Sequence, residues 1–140
     1  MKHLKKHFLV PLFAIVFFVF SFNVYASTVD GPSPQWSYLT MISAGMKIND
    51  HNVAKISVTC DSDMFDTNKV TAKCELQQLK GSWETIKSWS ETKNDSYIMY
   101  TKEFAVAKKY SYRLKVTASV YKDSKLLETV TEYFNYGYYH

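Results

Sequence analysis

From Tyr110 to Val120 the chain alternates without a slip. Tyr110, Tyr112, Leu114, Val116, Ala118 and Val120 stand against Ser111, Arg113, Lys115, Thr117 and Ser119. A strand with one dry and one wet face needs this period of two. Similar patterns recur along the chain, separated by turn residues, and no segment sustains a helical period. Trp36, Tyr38, Thr40, Ile42, Ala44, Met46 and Ile48 share one parity and read as two short strands broken near Ala44-Gly45. Asn49-Asp50-His51-Asn52 reads as a turn. Ala54, Ile56, Val58 and Cys60 form the next dry face, and Asp61 to Lys69 a polar loop. Val70, Ala72, Cys74 and Leu76 follow, and Lys80-Gly81 marks a tight hairpin into Trp83–Ser90. Glu91 to Ser96 is another polar turn, Tyr97 to Phe104 a further strand, and Lys122-Asp123-Ser124 leads into a last strand from Leu126 to about Phe134.

Roughly seven strands in some 110 residues predict an all-β fold, a single antiparallel β-sandwich of immunoglobulin-like kind. The alternative is a small β-barrel. The sandwich is expected over residues 36–140, behind a flexible arm at residues 27–35 (STVDGPSPQ) that is rich in Ser, Pro and Gly.

Residues 1–26 follow another logic. Lys2, Lys5 and Lys6 precede an apolar run from Phe8 to about Phe22, and Val24-Tyr25-Ala26 ends on a small residue. This is the pattern of a secretory signal peptide cleaved after Ala26. A spanning helix needs roughly 20 apolar residues, whereas Phe8 to Phe20 is interrupted by Pro11 and followed by polar Ser21 and Asn23. The expectation is a secreted, extracellular protein without a membrane anchor once the leader is removed.

Export changes the reading of charge. The whole chain has 17 basic and 13 acidic residues, but the leader holds three lysines and no acid, leaving 14 against 13. A nearly neutral mature chain offers no footprint for nucleic acid. Its 114 residues suffice for one domain with its own core. Sixteen of them are Phe, Trp or Tyr, more than one small core requires.

An oxidising compartment also gives the two cysteines a meaning. Cys60 and Cys74 both lie on the dry parity of consecutive strands, which points to a disulfide worth on the order of 3 kcal/mol. Two buried free thiols are the alternative, where strand register holds the backbones apart. No Cys-x-x-Cys suggests redox chemistry.

Candidate chemistry is sparse. Asp61, Asp63, Asp66 and Asn68 crowd one loop, yet Asp66 and Ala72 occupy positions where a calcium loop needs Gly and Glu. We expect no metal and no cofactor. The mature histidines are only His51 and His140, and no nucleophile elbow, zinc motif or phosphate loop is present, so the chain is expected not to be an enzyme. Trp83 and Trp89 share one parity with Lys87 between them. Facing outward they would lie roughly 20 Å apart, able to stack on sugar rings or anchor a protein. Facing inward they would bury Lys87 unless a bulge flips the strand, and one Trp in the core with the other at the sandwich edge is the plainer arrangement. The tail from Tyr133 to His140 is a second aromatic cluster, with Tyr136, Tyr138 and Tyr139 as its candidates: an adhesive patch or a strand donated to a neighbour, or else Tyr133 and Phe134 finish the last strand and the rest frays.

PQWSYLTMISAGMKI (Pro34–Ile48), LQQLKGSWETIKSWS (Leu76–Ser90) and YSYRLKVTASVY (Tyr110–Tyr121) together resemble a family of short secreted proteins of Gram-positive bacteria, known only as a domain of unknown function. The Trp-rich hairpin followed by the Tyr-x-Tyr-Arg strand is the more specific part. The resemblance implies secretion and a compact β fold, and it brings no activity, ligand or catalytic residue. The expectation is a non-catalytic secreted domain that binds a cell-wall glycan or an extracellular protein. A small secreted antagonist, toxin-like or bacteriocin-like, is the alternative, with an envelope-acting enzyme behind it.

Overall fold

The computed structural model describes residues 35–140. The expected signal peptide and its cleavage point lie outside the described residues, as do residues 27–34 of the arm. Seven strands follow one another: β1 Leu39–Ile48, β2 Val53–Ser62, β3 Lys69–Lys80, β4 Ser82–Lys93, β5 Tyr97–Ala105, β6 Tyr110–Lys122 and β7 Lys125–Tyr139. They form two antiparallel sheets, one in the order β1-β2-β5 and the other β4-β3-β6-β7. No ladder joins β1 to β7 or β5 to β4, so the sheets stay separate at both edges and no barrel closes. This is the Greek-key sandwich of immunoglobulin-like proteins, with the fourth strand paired to the third rather than the fifth.

The alternating positions of both sheets meet in the interior. Ala54, Ile56 and Val58 of β2 face Val70, Ala72 and Leu76 of β3 and Leu114, Val116, Ala118 and Val120 of β6, all buried. Tyr112 is the largest wholly buried side chain. Its hydroxyl donates to the Ala107 carbonyl at 2.7 Å and accepts from Gln78 Nε2 at 2.9 Å. A buried tyrosine bonded back to the backbone ahead of its strand fixes the corner between β5 and β6, the device known from other sandwiches.

Several boundaries differ from expectation. The proposed break at Ala44-Gly45 is absent: β1 pairs continuously with β2 through Gly45↔Ser57, and its irregularity falls at Thr40 instead. Gly45 has no positive φ, so the glycine signalled no turn. The tail does not fray after Phe134. Strand β7 runs to Tyr139, where Tyr139 lies opposite Tyr110. Gly137, at φ 102°, follows an extra residue, Tyr136, and the bulge lets pairing resume beyond it.

The disulfide is also corrected. Cys60 and Cys74 point inward and are fully buried, as their parity requires, but both are free thiols. The two strands are consecutive in sequence but not neighbours in a sheet: β2 belongs to one sheet and β3 to the other. Each thiol fills interior space as a small apolar group. Burial pushes both up to about 12, with the charges of Glu75 and Cys60 adding to the rise at Cys74. At pH 8 only about one thiol in ten thousand would then be ionised. We therefore expect no reaction with Ellman's reagent in the native protein and two equivalents after unfolding without reductant. Rapid native labelling, or fewer than two equivalents on unfolding, would refute this arrangement.

Candidate functional site

Two bulges decide which aromatics reach the surface. In the β3–β4 ladder Leu76 lies opposite Lys87 and Gln77 opposite Thr85, so Ile86 is an extra residue. Before that bulge Trp83 and Thr85 face outward. After it the parity is reversed, and Trp89, opposite the inward Cys74, turns to the interior side. Trp89 packs against the core and meets Phe104 edge to face, with ring centres 6.3 Å apart. Lys87 escapes burial at the sheet edge, its ammonium 6.0 Å from the Phe104 ring. The bulge at Tyr136 likewise places Asn135 and Tyr133 outward on one side of it and Tyr138 outward on the other.

The outer face of the four-stranded sheet consequently gathers Trp83 of β4, Leu79 of β3, Arg113 of β6, and Tyr133 and Tyr138 of β7. Arg113 is the centre. Its guanidinium carbon lies 4.4 Å from the Trp83 ring centre and 4.5 Å from that of Tyr133, so the cation stacks between two rings no more than about 9 Å apart. Its Nε donates to Gln77 Oε1 at 2.7 Å. Gln77 Nε2 in turn donates to Thr85 Oγ1 at 3.2 Å, and the Thr85 hydroxyl donates to Glu75 Oε1 at 3.3 Å. Glu75 also pairs with Lys115 at 3.4 Å and Lys73 at 3.6 Å. A polar relay thus lies under the stack and holds the arginine in one orientation. Tyr133 remains 49% exposed and Tyr138 51%, the latter against the His140 ring at 4.9 Å.

Beyond the stack this face is rich in hydroxyls. Cross-strand pairs join Thr71 to Thr92 at 2.8 Å, Thr117 to Thr131 at 2.9 Å and Ser119 to Thr129 at 2.9 Å. The outward strand residues carry four cations, Lys69, Lys73, Arg113 and Lys115, against the single carboxylate of Glu75. The outer face of the other sheet is balanced, with Lys47 and Lys55 against Asp61 and Glu103. Positive charge is therefore concentrated on the aromatic face.

The remaining sequence candidates are scattered. Tyr139 is half-buried, and its hydroxyl donates to Asn52 Oδ1 at 2.6 Å, a structural contact. Tyr136 lines a groove of about 240 Å³ between β1 and β7, together with Met46 and Phe134. Of the five proposed aromatics, only Trp83 and Tyr138 share the outer face. Arg113 and Gln77 were not singled out from sequence, and Tyr133 only as the start of the aromatic tail. Their one signal was Arg113 itself, a stiff, planar cation on the wet side of the cleanest alternation.

In the aspartate-rich loop, Asp63 Oδ1 accepts the Phe65 amide at 2.8 Å, and the Asp63 carbonyl accepts the Thr67 amide at 2.9 Å. These carboxylates shape a turn, and among the described residues no three His, Cys, Asp or Glu gather as a metal site. The turn displays Phe65, 82% exposed, at one end of the sandwich.

No protein-family model matches the chain, and no curated protein sequence matches it. The site therefore rests on its own geometry.

Proposed function

We propose that this chain is a non-catalytic binding domain, exported from the cell, that recognises a surface or extracellular ligand through the outer face of its four-stranded sheet. The observation that carries the reading is the stack of Arg113 between Trp83 and Tyr133. Aromatic and arginine side chains fixed on a rigid sheet give contact area without losing much side-chain freedom on binding, which is how recognition surfaces concentrate affinity. Tyr133 and Tyr138 extend the same surface. Export is supported by the basic, apolar and small-residue order of residues 1–26.

The test is retention on isolated cell envelopes and on extracellular material from the producing organism. Trp83→Ala and Tyr133→Ala should each lower retention about tenfold or more, while thermal melting shifts by only a few degrees. Trp89→Ala, which acts on the core side, should lower stability instead. Unchanged retention in both outer-face variants would refute the binding surface. Export is checked separately: the protein should accumulate in the medium with Ser27 as its first residue, and full-length protein held in the cell would overturn that part.

A further inference from the structure

We propose that the ligand of this face is an anionic glycan, a polyhydroxylated chain bearing carboxylate or phosphate groups, and that Arg113 reads its charge. The inference rests on the outer-face reading above and goes beyond it in naming the ligand chemistry.

Arg113 has donors left to offer. A guanidinium carries five N–H donors in a fixed plane. The guanidinium lies against two rings, Trp83 and Tyr133, and Nε is committed to Gln77. Among the described residues, no hydrogen bond or ion pair engages the two Nη groups. Their free edge is the geometry that grips an oxyanion through two parallel hydrogen bonds. The neighbouring cations differ, since Lys73 and Lys115 share Glu75. Arg113 is a pre-oriented cation with no carboxylate of its own.

The surroundings indicate the rest of the ligand. Half-exposed tyrosine rings offer stacking surfaces for sugar rings. Thr85, Ser111 and Asn135 border the stack and can exchange hydrogen bonds with hydroxyl groups. The face is an open sheet rather than a pocket, which suits an extended polymer lying across strands. A neutral glycan could accept from the Nη groups but would leave the charge of Arg113 unmatched. A single-stranded nucleic acid would also combine phosphate with stacking, but it calls for a track of free cations along the backbone. Here two of the three lysines on the face are tied to Glu75.

The test is affinity measured on the full chain with four probes: polygalacturonate for carboxylate, phosphomannan for phosphate, pullulan as a neutral polysaccharide, and oligothymidylate. Binding to either anionic polymer in clear preference to pullulan, weakening as salt rises, is expected. Which of the two binds identifies the source of the charge. Arg113→Gln should weaken that binding about tenfold or more, and Arg113→Lys should restore little, because an ammonium lacks the paired donors. The salt dependence and the anionic-to-neutral preference are read on the unmodified protein and hold even if a variant folds poorly. Equal binding of pullulan, or no effect of Arg113→Gln in a folded variant, overturns the proposal. So does tighter binding of oligothymidylate than of any polysaccharide. If none of the probes binds while Trp83→Ala still abolishes envelope retention, the anionic glycan falls and the outer-face reading stands. If Trp83→Ala and Tyr133→Ala leave envelope retention unchanged, both fall.

Discussion

Leu114→Ala is expected to remove about 3 kcal/mol of folding free energy, whereas Arg113→Ala, one residue earlier on the same strand, removes about 1 kcal/mol. Leu114 is 1% exposed and lies between Leu76 of β3 and Phe134 of β7 in register. Those neighbours are held by ladders on both sides of β6, so the cavity left by alanine cannot easily collapse. Losses for such truncations run from about 2 to 5 kcal/mol. A domain of this size holds only about 5–15 kcal/mol in all, so the change takes a large share of it. Arg113 loses two ring contacts and one hydrogen bond at a half-solvated surface.

The measurement is urea unfolding of both variants beside a binding assay. Leu114→Ala should lower the midpoint strongly with an unchanged slope, and the fraction still folded should bind as before. Arg113→Ala should do the reverse, with a small midpoint shift and a large loss of binding. A loss below about 1 kcal/mol at Leu114 would mean that the two sheets are not packed as described. Adjacent positions thus separate stability from recognition, because successive side chains of one strand serve opposite faces.

That same alternation explains what could be read from the sequence. Strand number and the dry faces of β2, β3 and β6 were legible because each is buried on one side only, and burial writes itself as a period of two. The turn at Asn49 was legible too, since its side-chain oxygen accepts the His51 and Val53 amides. Bulges were not. Ile86 and Tyr136 each shift one strand by one residue against its partner, and nothing in their residue types announces it. A parity count carried through Ile86 puts Trp83 and Trp89 on one face with Lys87 buried between them; that conflict was the one hint of a bulge, and the plainer arrangement, one Trp in the core and the other at the sandwich edge, is the one found. Pairing across sheets was equally hidden. The alternation put Cys60 and Cys74 in the core, but only the strand order shows that they approach from opposite sheets. Arg113 was visible as a wet-face residue, and its two ring partners come from strands on either side of the sheet, joined to it by long-range pairing.

Glu128→Gln is expected to destabilise the protein by about 2 kcal/mol at pH 7 and by progressively less as the solution is acidified. Glu128 stands on β7, and its carboxylate accepts three successive backbone amides that lead into β1: Ser37 at 2.8 Å, Tyr38 at 2.9 Å and Leu39 at 2.8 Å. No ladder joins these two edge strands, so this one side chain ties the start of the first sheet to the last strand of the second. Partial burial by itself pushes the carboxyl group up, but the three amide donors outweigh it and hold the group below its ordinary 4.5. A carboxylate depressed in the folded state contributes stability that is fully present above its unfolded value. That contribution is lost as pH falls through the lower, folded value. Protonated Glu128 then resembles glutamine, with one acceptor where two oxygens had served three donors. Melting curves of the two proteins should therefore lie well apart at pH 7 and converge in acid, once the pH has fallen through the lowered folded value. Water competes at this half-exposed position, which keeps the effect near the lower end of the range for bonds to charged groups. The amides of Ser37, Tyr38 and Leu39 should also exchange with deuterium faster in the variant at neutral pH, while Val116 and Val120 keep their protection. A gap between the melting curves that stays as wide in acid, with the carboxyl group protonated, as at pH 7 would show that the carboxylate charge is not what holds β1 in place.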